Sequence, residues 1–210
     1  MAVTGRLEQI AAAVQPVFSE RTPDTDAAFD RLLDELGHWN RRVNLTAVRD
    51  REAMVTAHLV DSLAVRPYLR GARILDIGTG AGFPGLPLAI AEPERQFTLL
   101  DSNNKKVAFV EHVSRLLGLD NVAVVRSRAE DFAPGKRFDT VVARAVAALP
   151  KLLAIAGHHV REDGVFVALK GRYPAEELEQ VPDTWDYRVQ ELNVPGLEAG
   201  SRHVVLMEHR

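Results

Sequence analysis

Apolar residues recur every three or four positions through the first seventy residues and in short unbroken runs after them. Leu7, Ile10, Ala11, Val14 and Phe18 fall on one side of a helix, because a 3.6-residue turn brings such positions together. Phe29, Leu32, Leu33 and Leu36 do the same after Thr22-Pro23-Asp24, where Thr22 can cap the first turn and Pro23 has the φ that turn needs. A third helix is predicted from about Asp50 to Arg66, ending at Pro67. From Gly71 onward, strands are predicted near 73–77, 96–100, 122–126, 138–142 and 164–169, with helices near 85–91, 104–117 and 148–159. That alternation builds βαβ units on a parallel sheet with helices on both faces. Residues 185–194 and 202–208, joined through Pro195-Gly196, read as two strands with no helix between them, so an antiparallel pair is expected at one sheet edge. The pattern divides the chain into a helical unit over 1–70 and an α/β domain over 71–210.

The run Ile74-Leu75-Asp76-Ile77-Gly78-Thr79-Gly80-Ala81-Gly82-Phe83-Pro84-Gly85 joins the first strand to its helix. Its alternate glycines allow positive φ and let a ligand lie against bare main chain. Strand, glycine turn and helix form the unit that binds adenine-containing cofactors at the carboxyl end of a parallel sheet. A dinucleotide fingerprint starting at Gly78 would need glycine at position 83, where Phe83 stands, and the third glycine comes one residue early at Gly82. With Asp76 two residues ahead of Gly78, the turn resembles the D-x-G-x-G-x-G turn of S-adenosylmethionine (SAM) methyltransferases.

In open α/β sheets ligands sit beyond the carboxyl ends of the strands, and each predicted strand end carries a ligand-type group. Gly78 and Gly80 follow the first strand, and Asp101 follows the second. Asp101 is suited to both ribose hydroxyls, with a helix cap as its structural alternative. Ser127-Arg128-Ala129-Glu130-Asp131-Phe132 follows the third strand; its acidic pair could read the adenine amine, or form a solvated turn with Phe132 in the core. Arg144 ends the fourth strand and Lys170-Gly171 the fifth. A guanidinium at the end of an apolar strand calls for an anionic partner.

Composition narrows the chemistry. The 210 residues contain no cysteine, which excludes disulfides, thiolate metal sites and the thiolate attack used for methylation at pyrimidine C5. The seven histidines show no metal-ligand spacing, so no metal is expected. No run has the length of a membrane span and Met1 to Phe18 lacks the pattern of an export signal, so a cytoplasmic protein with no membrane partner is expected. Net charge is only −3, so any polyanion binding must come from a local patch. His58, Asp61 and Ser62 stand close together, but no G-x-S-x-G surrounds Ser62, and His58 is expected to pack beside Met54 and Leu59 or to hydrogen-bond between the two units.

Asn44-Leu45-Thr46, His58 with Asp61-Ser62, the turn from Asp76 to Gly85, Leu99-Leu100-Asp101-Ser102, Ser127-Arg128, Arg144-Ala145 and Leu169-Lys170-Gly171 together resemble the bacterial small-subunit ribosomal RNA guanine-N7 methyltransferases, the glucose-inhibited division protein B family. The resemblance runs from about Trp39 to His203. It implies a Rossmann-like SAM-dependent methyltransferase fold with a mixed sheet, a helical N-terminal extension and methyl transfer to N7 of one guanine in 16S RNA near the decoding region. It also implies cofactor contacts at Gly78, Phe83, Ala129, Glu130 and Arg144, beside Asp76, Gly80 and Asp101 of the turn and second strand. Two departures concern the surroundings of these positions: Ala143 stands where relatives often have serine, and Phe83 where many have leucine.

Guanine N7 already carries an in-plane lone pair, so attack on a sulfonium methyl requires alignment and no general base. Arg144, always protonated, is cast as an anchor for the methionine carboxylate or an RNA phosphate. N7 lies in the deep major groove of A-form RNA, so the target must sit in a loop or be splayed from its stack. The candidates for RNA grip are Arg41, Arg42, Arg49 and Arg51, with Lys105, Lys106, Arg128, Lys170 and Arg172 around the ligand edge. The expected partner is 16S RNA or the small ribosomal subunit, met by a monomer. Two rivals stand beside this reading: a nicotinamide-dependent oxidoreductase, disfavoured by Phe83, and a noncatalytic ribosome-assembly factor.

Overall fold

A computed structural model describes residues 3–197 and 201–210; residues 198–200, in the predicted loop between the last two strands, lie outside the described residues. Two helices open the chain, α1 (Val3–Val14) and α2 (Pro23–Asn40). Thr22 caps α2 in a reciprocal box with Thr25, and Pro23 occupies its first turn, so the local signals act as the sequence predicts. The third helix is not uniform. An α turn, α3 (Arg51–Met54), passes into a π-helical segment, Val55–Val60, and then into α4 (Asp61–Leu63). The wider π turn has no residue signature at these positions, which is why periodicity alone predicts one continuous helix.

The sheet is built from β1 (Arg73–Ile77), β2 (Gln96–Asp101), β3 (Val122–Arg126), β4 (Phe138–Arg144), β5 (Val160–Lys170), β6 (Trp185–Leu192) and β7 (Arg202–His209). Its order is β3-β2-β1-β4-β5-β7-β6. The first five strands run parallel, and β7 pairs antiparallel with both β5 and β6. The expected antiparallel pair is therefore present, with β7 inserted between β5 and β6. β5 starts four residues earlier than the apolar run 164–169, because Phe138 pairs with Val160 and the register then jumps so that Thr140 pairs with Val165. The exposed Arg161-Glu162-Asp163 segment is the excess accommodated by that irregularity and carries no apolar signal to read.

Strand residues alternate between two cores. Ile74, Phe97, Leu99, Val142, Val165, Val167, Val204 and Leu206 pack with Phe29, Leu32, Leu33 and Leu36 of α2, with Leu86 and Leu88 of α5 (Gly85–Ala91), and with Phe109 and Val110 of α6 (Asn104–Leu116). Leu75, Ile77, Val141, Phe166, Ala168 and Val205 face the other way, onto Leu149, Leu152 and Leu153 of α7 (Leu149–Ala156) and Leu178 of the short α8 (Ala175–Leu178). Burial of both strand faces explains the unbroken apolar runs. The N-terminal helices share the first core, so their apolar stripe and one face of the sheet exclude water together. Polar contacts reinforce that packing: Glu35 lies 2.8 Å from His112 Nε2 of α6, and Arg6 forms ion pairs with Asp30 and Asp34 at 3.3 and 3.1 Å.

Candidate functional site

β1 ends in a turn whose backbone only glycine adopts without cost: Gly78, Gly80 and Gly82 have φ of 62°, 62° and 85°. A Cβ at Gly78 would lie 2.7 Å from a methyl of Val146, and one at Gly85 would lie 2.2 Å from Leu99 and 2.7 Å from the Asp76 carboxylate. The first and fourth glycines therefore serve close packing as well as turn geometry. Asp76, 1% exposed, braces the turn from beneath. Its Oδ2 accepts from the Thr79 hydroxyl at 2.6 Å and from the Gly85 amide at 2.9 Å, while Oδ1 has no partner among the described residues. Burial pushes the Asp76 carboxyl up to about 7, against the lowering effect of those two donors.

Beyond the carboxyl ends of β1, β2, β3 and β4 lies a cleft of about 360 Å³, within the range of small-molecule sites. Gly78, Asp101, Arg128, Ala129 and Glu130 line it, bringing together five positions read from three strand ends. Asp101 braces two backbone segments. Oδ1 accepts from the Asn103 amide at 2.8 Å and Oδ2 from the Gly80 amide at 3.0 Å, so the carboxylate ties the glycine turn to the start of α6. Each carboxylate oxygen retains a second acceptor direction. The helix cap itself is Asn103, whose side chain accepts from Lys105 and Lys106 amides. Ala145, from the Arg144-Ala145 pair, also lines the cleft, as do Val146 and Lys151, which no sequence motif marks. Among the described residues Ala145 is the one non-glycine residue with positive φ, 55°, a strained conformation of the kind that collects at functional sites.

Two of the positions implied by resemblance sit elsewhere. The Phe83 ring stacks on His58, with centroids 4.5 Å apart and planes at 17°, and so fastens the glycine turn to the π-helical segment. Arg144 points the same way. Its Nη1 donates to the Ala57 carbonyl and to Asp61 Oδ2, both at 3.0 Å, and neither side chain lines the cleft. The anion that an arginine at this strand end requires is thus Asp61, 2% exposed, which also accepts from Arg202 Nε through Oδ1 at 2.8 Å. His58 lines a second cavity of about 440 Å³ with Asp61, Arg144, Ala145, Lys170 and Arg202. Burial, followed by the nearby Arg144 charge, lowers the His58 pKa to about 4, so the ring is neutral at physiological pH. Its Nε2 lies 3.1 Å from the Thr46 hydroxyl. The sequence residues Thr46, His58 and Asp61 are therefore joined in one polar cluster at the junction of helices and sheet.

The basic residues differ in how far they are committed. Arg41, Arg42 and Arg49 are exposed on the segment following α2, with Arg41 donating to His38 and Arg49 to Asn44. Arg51 is held by Asp30 and, at 2.7 Å, by Asp34. Lys170 Nζ donates to Glu177 at 2.6 Å and to the Ala147 carbonyl at 3.0 Å, whereas Arg172 is exposed beside it. Among the described residues, no group of three or more His, Cys, Asp or Glu side chains could hold a metal ion, and no helix is long and apolar enough to cross a membrane.

Solved structures share this architecture. The glycopeptide N-methyltransferase MtfA aligns with a TM-score of 0.59 at 15% identity, covering 74% of this chain and 96% of that one. Precorrin-6y C5,15-methyltransferase from Geobacter metallireducens GS-15 aligns with a TM-score of 0.55 at 16% identity, covering 79% and 91%. Strand order and glycine turn are those of the Rossmann-like methyltransferase fold. At the level of sequence the chain matches GidB, rRNA small subunit methyltransferase G, over residues 25–205. It is 45% identical to the ribosomal RNA small subunit methyltransferase G of Idiomarina loihiensis across 206 residues, 98% of each chain. It is 47% identical to the protein of the same name from Legionella pneumophila (strain Corby) across 187 residues, 88% of each. The chain belongs to the rRNA small subunit methyltransferase G family.

Proposed function

We propose that this protein transfers a methyl group from SAM to N7 of one guanine in 16S ribosomal RNA, acting on the RNA or on the small ribosomal subunit. The observation that carries the reading is a glycine-lined cleft at the ends of β1 to β4 in a chain that matches the family over 25–205.

The donor set of the cleft suits SAM. Gly78 offers main chain that a Cβ would crowd. Asp101, already aligned by two amides, presents its remaining acceptor directions to a ribose diol, and Ala129 with Glu130 stands where the adenine edge is read. Asp76 and Gly80 act through the shape of the turn. When bound, SAM supplies an electrophilic methyl group on a sulfonium sulfur. N7 needs no deprotonation, so the protein's task is to hold two partners in line, an effect that supplies several kcal/mol. Residues 1–70 form the RNA-contacting cap in this reading, with Arg41, Arg42 and Arg49 exposed for phosphates, as are Arg128 and Arg172 of the α/β domain. Arg51 and Lys170, both already ion-paired, shape their neighbourhoods first.

The test is incubation of the purified protein with SAM and small subunits from cells lacking it, followed by nucleoside mass spectrometry of the 16S RNA. Formation of 7-methylguanosine supports the proposal. SAM binding with a methyl group on another atom would overturn the N7 assignment, and RNA binding without SAM binding would favour the assembly-factor reading.

A further inference from the structure

Methyl donor and acceptor must meet at about 3–3.5 Å, so the seat of the target base has to adjoin the cofactor cleft. The cavity at His58 does so. It shares Ala145 with the cleft, whereas the groove along Arg172 to Glu177, the hollow at Asn193 and the one at Asp120 share no lining residue with it. The common wall is also pinned from both sides. On one side Arg144 is fixed to Asp61 and to the Ala57 carbonyl. On the other, Lys170 holds the Ala147 carbonyl, and Glu177 bridges Lys170 to the Leu149 amide at the start of α7. Between these anchors stands Ala145 with its φ of 55°.

Resting on the proposed methyl transfer, we infer that this second cavity seats the flipped-out target guanine, with N7 toward Ala145 and O6 toward Arg144. The cavity has the chemistry such a base needs. Val48, Ala57 and Leu169 supply apolar wall for a planar ring. Among the described residues only Nη1 of Arg144 is committed, which leaves donors on Nε and Nη2. Guanine presents an acceptor at O6, beside N7, where adenine presents an amino donor, so a guanidinium at this wall selects guanine. Three cations, Arg144, Lys170 and Arg202, face two carboxylates, Asp61 and Glu177, and the neighbouring His58 ring is neutral. Positive charge building on the purine during transfer therefore meets a wall whose cations are largely compensated, while a close unpaired cation would oppose it.

Two cavity-filling variants test the assignment, Ala57→Phe in the π-helical segment and Val48→Trp on the adjoining loop; both positions are part-exposed, and neither is in the cofactor cleft. Each is compared with the unaltered protein for SAM affinity by calorimetry and for methyl transfer to small subunits across a range of subunit concentration. The expected result is SAM affinity unchanged within about twofold, subunit KM within about threefold, and kcat reduced at least about a hundredfold, since small misplacements at the reacting atoms cost that much. Retained kcat in either folded variant would overturn the assignment. A change confined to KM would make the cavity an RNA-docking surface, and lost SAM binding would make it part of the cofactor site; either result overturns it as well. If the unaltered protein makes no 7-methylguanosine, the underlying reading fails instead.

Discussion

His58 shows how much a residue's surroundings decide. The sequence places it among apolar neighbours on a helix, and the fold adds the Phe83 ring against one face, the Thr46 hydroxyl at Nε2 and Arg144 nearby. With a folded pKa lowered to about 4, below the ordinary histidine value, the neutral ring contributes stability that is present above about pH 6.5 and is lost as pH falls toward 4. Nitrogen-15 NMR of the folded protein should show His58 titrating near pH 4, and a midpoint near 6.5 would contradict the burial argument. Gly78 makes a second residue-scale prediction. Alanine there must take a φ of 62° and place its Cβ 2.7 Å from Val146, so Gly78→Ala should weaken SAM binding at least about tenfold, or 1.4 kcal/mol. Calorimetric titration checks this, and an unchanged affinity would show that the main chain at Gly78 is not in contact with the cofactor. Of the turn, the positions of the glycines and Asp76 were legible in the sequence because sterics at alternate residues leave a pattern. The direction of the Phe83 and Arg144 side chains was not, since it depends on partners 25 and 83 residues away in the chain.

At the scale of elements, strands and long helices follow from apolar periodicity, and caps such as Thr22 fix their starts. What periodicity misses is set by backbone geometry. The π-helical turn at Val55–Val60 and the register jump between β4 and β5 carry no signature in residue type. The segment between α2 and α3 is irregular for another reason: it is organised by one buried side chain. Asn40, 3% exposed, accepts from the Leu45 and Thr46 amides at 2.9 and 3.1 Å and donates to the Thr46 carbonyl at 2.9 Å. It thereby positions Thr46 for His58 and displays Arg41, Arg42 and Arg49 outward. Asn40→Ala would leave three backbone groups without partners, at a cost of about 2–3 kcal/mol. Urea unfolding should record a loss of that order, and a change under about 0.5 kcal/mol would show that the loop is held by other contacts.

For the whole molecule, the arrangement is one sheet with two cavities at its carboxyl edge that share Ala145, and with the N-terminal helices packed on one face. With a net charge of only −3, any RNA contact in the proposed reading depends on local groups such as the exposed Arg41, Arg42, Arg49, Arg128 and Arg172. The strands and the cleft at their ends followed from where polar residues interrupt apolar runs, whereas the order of the strands and the partnership of Asp61 with Arg144 and Arg202 required distant segments to meet. The measurement that tests the central claim most directly is transfer of radiolabelled methyl from SAM to small subunits lacking the modification, with the product located by borohydride and aniline cleavage of the RNA. A single strong cleavage site in 16S RNA, dependent on the protein and on SAM, is the result predicted. Transfer that leaves the RNA uncleaved, or that labels another molecule, would contradict methylation at guanine N7.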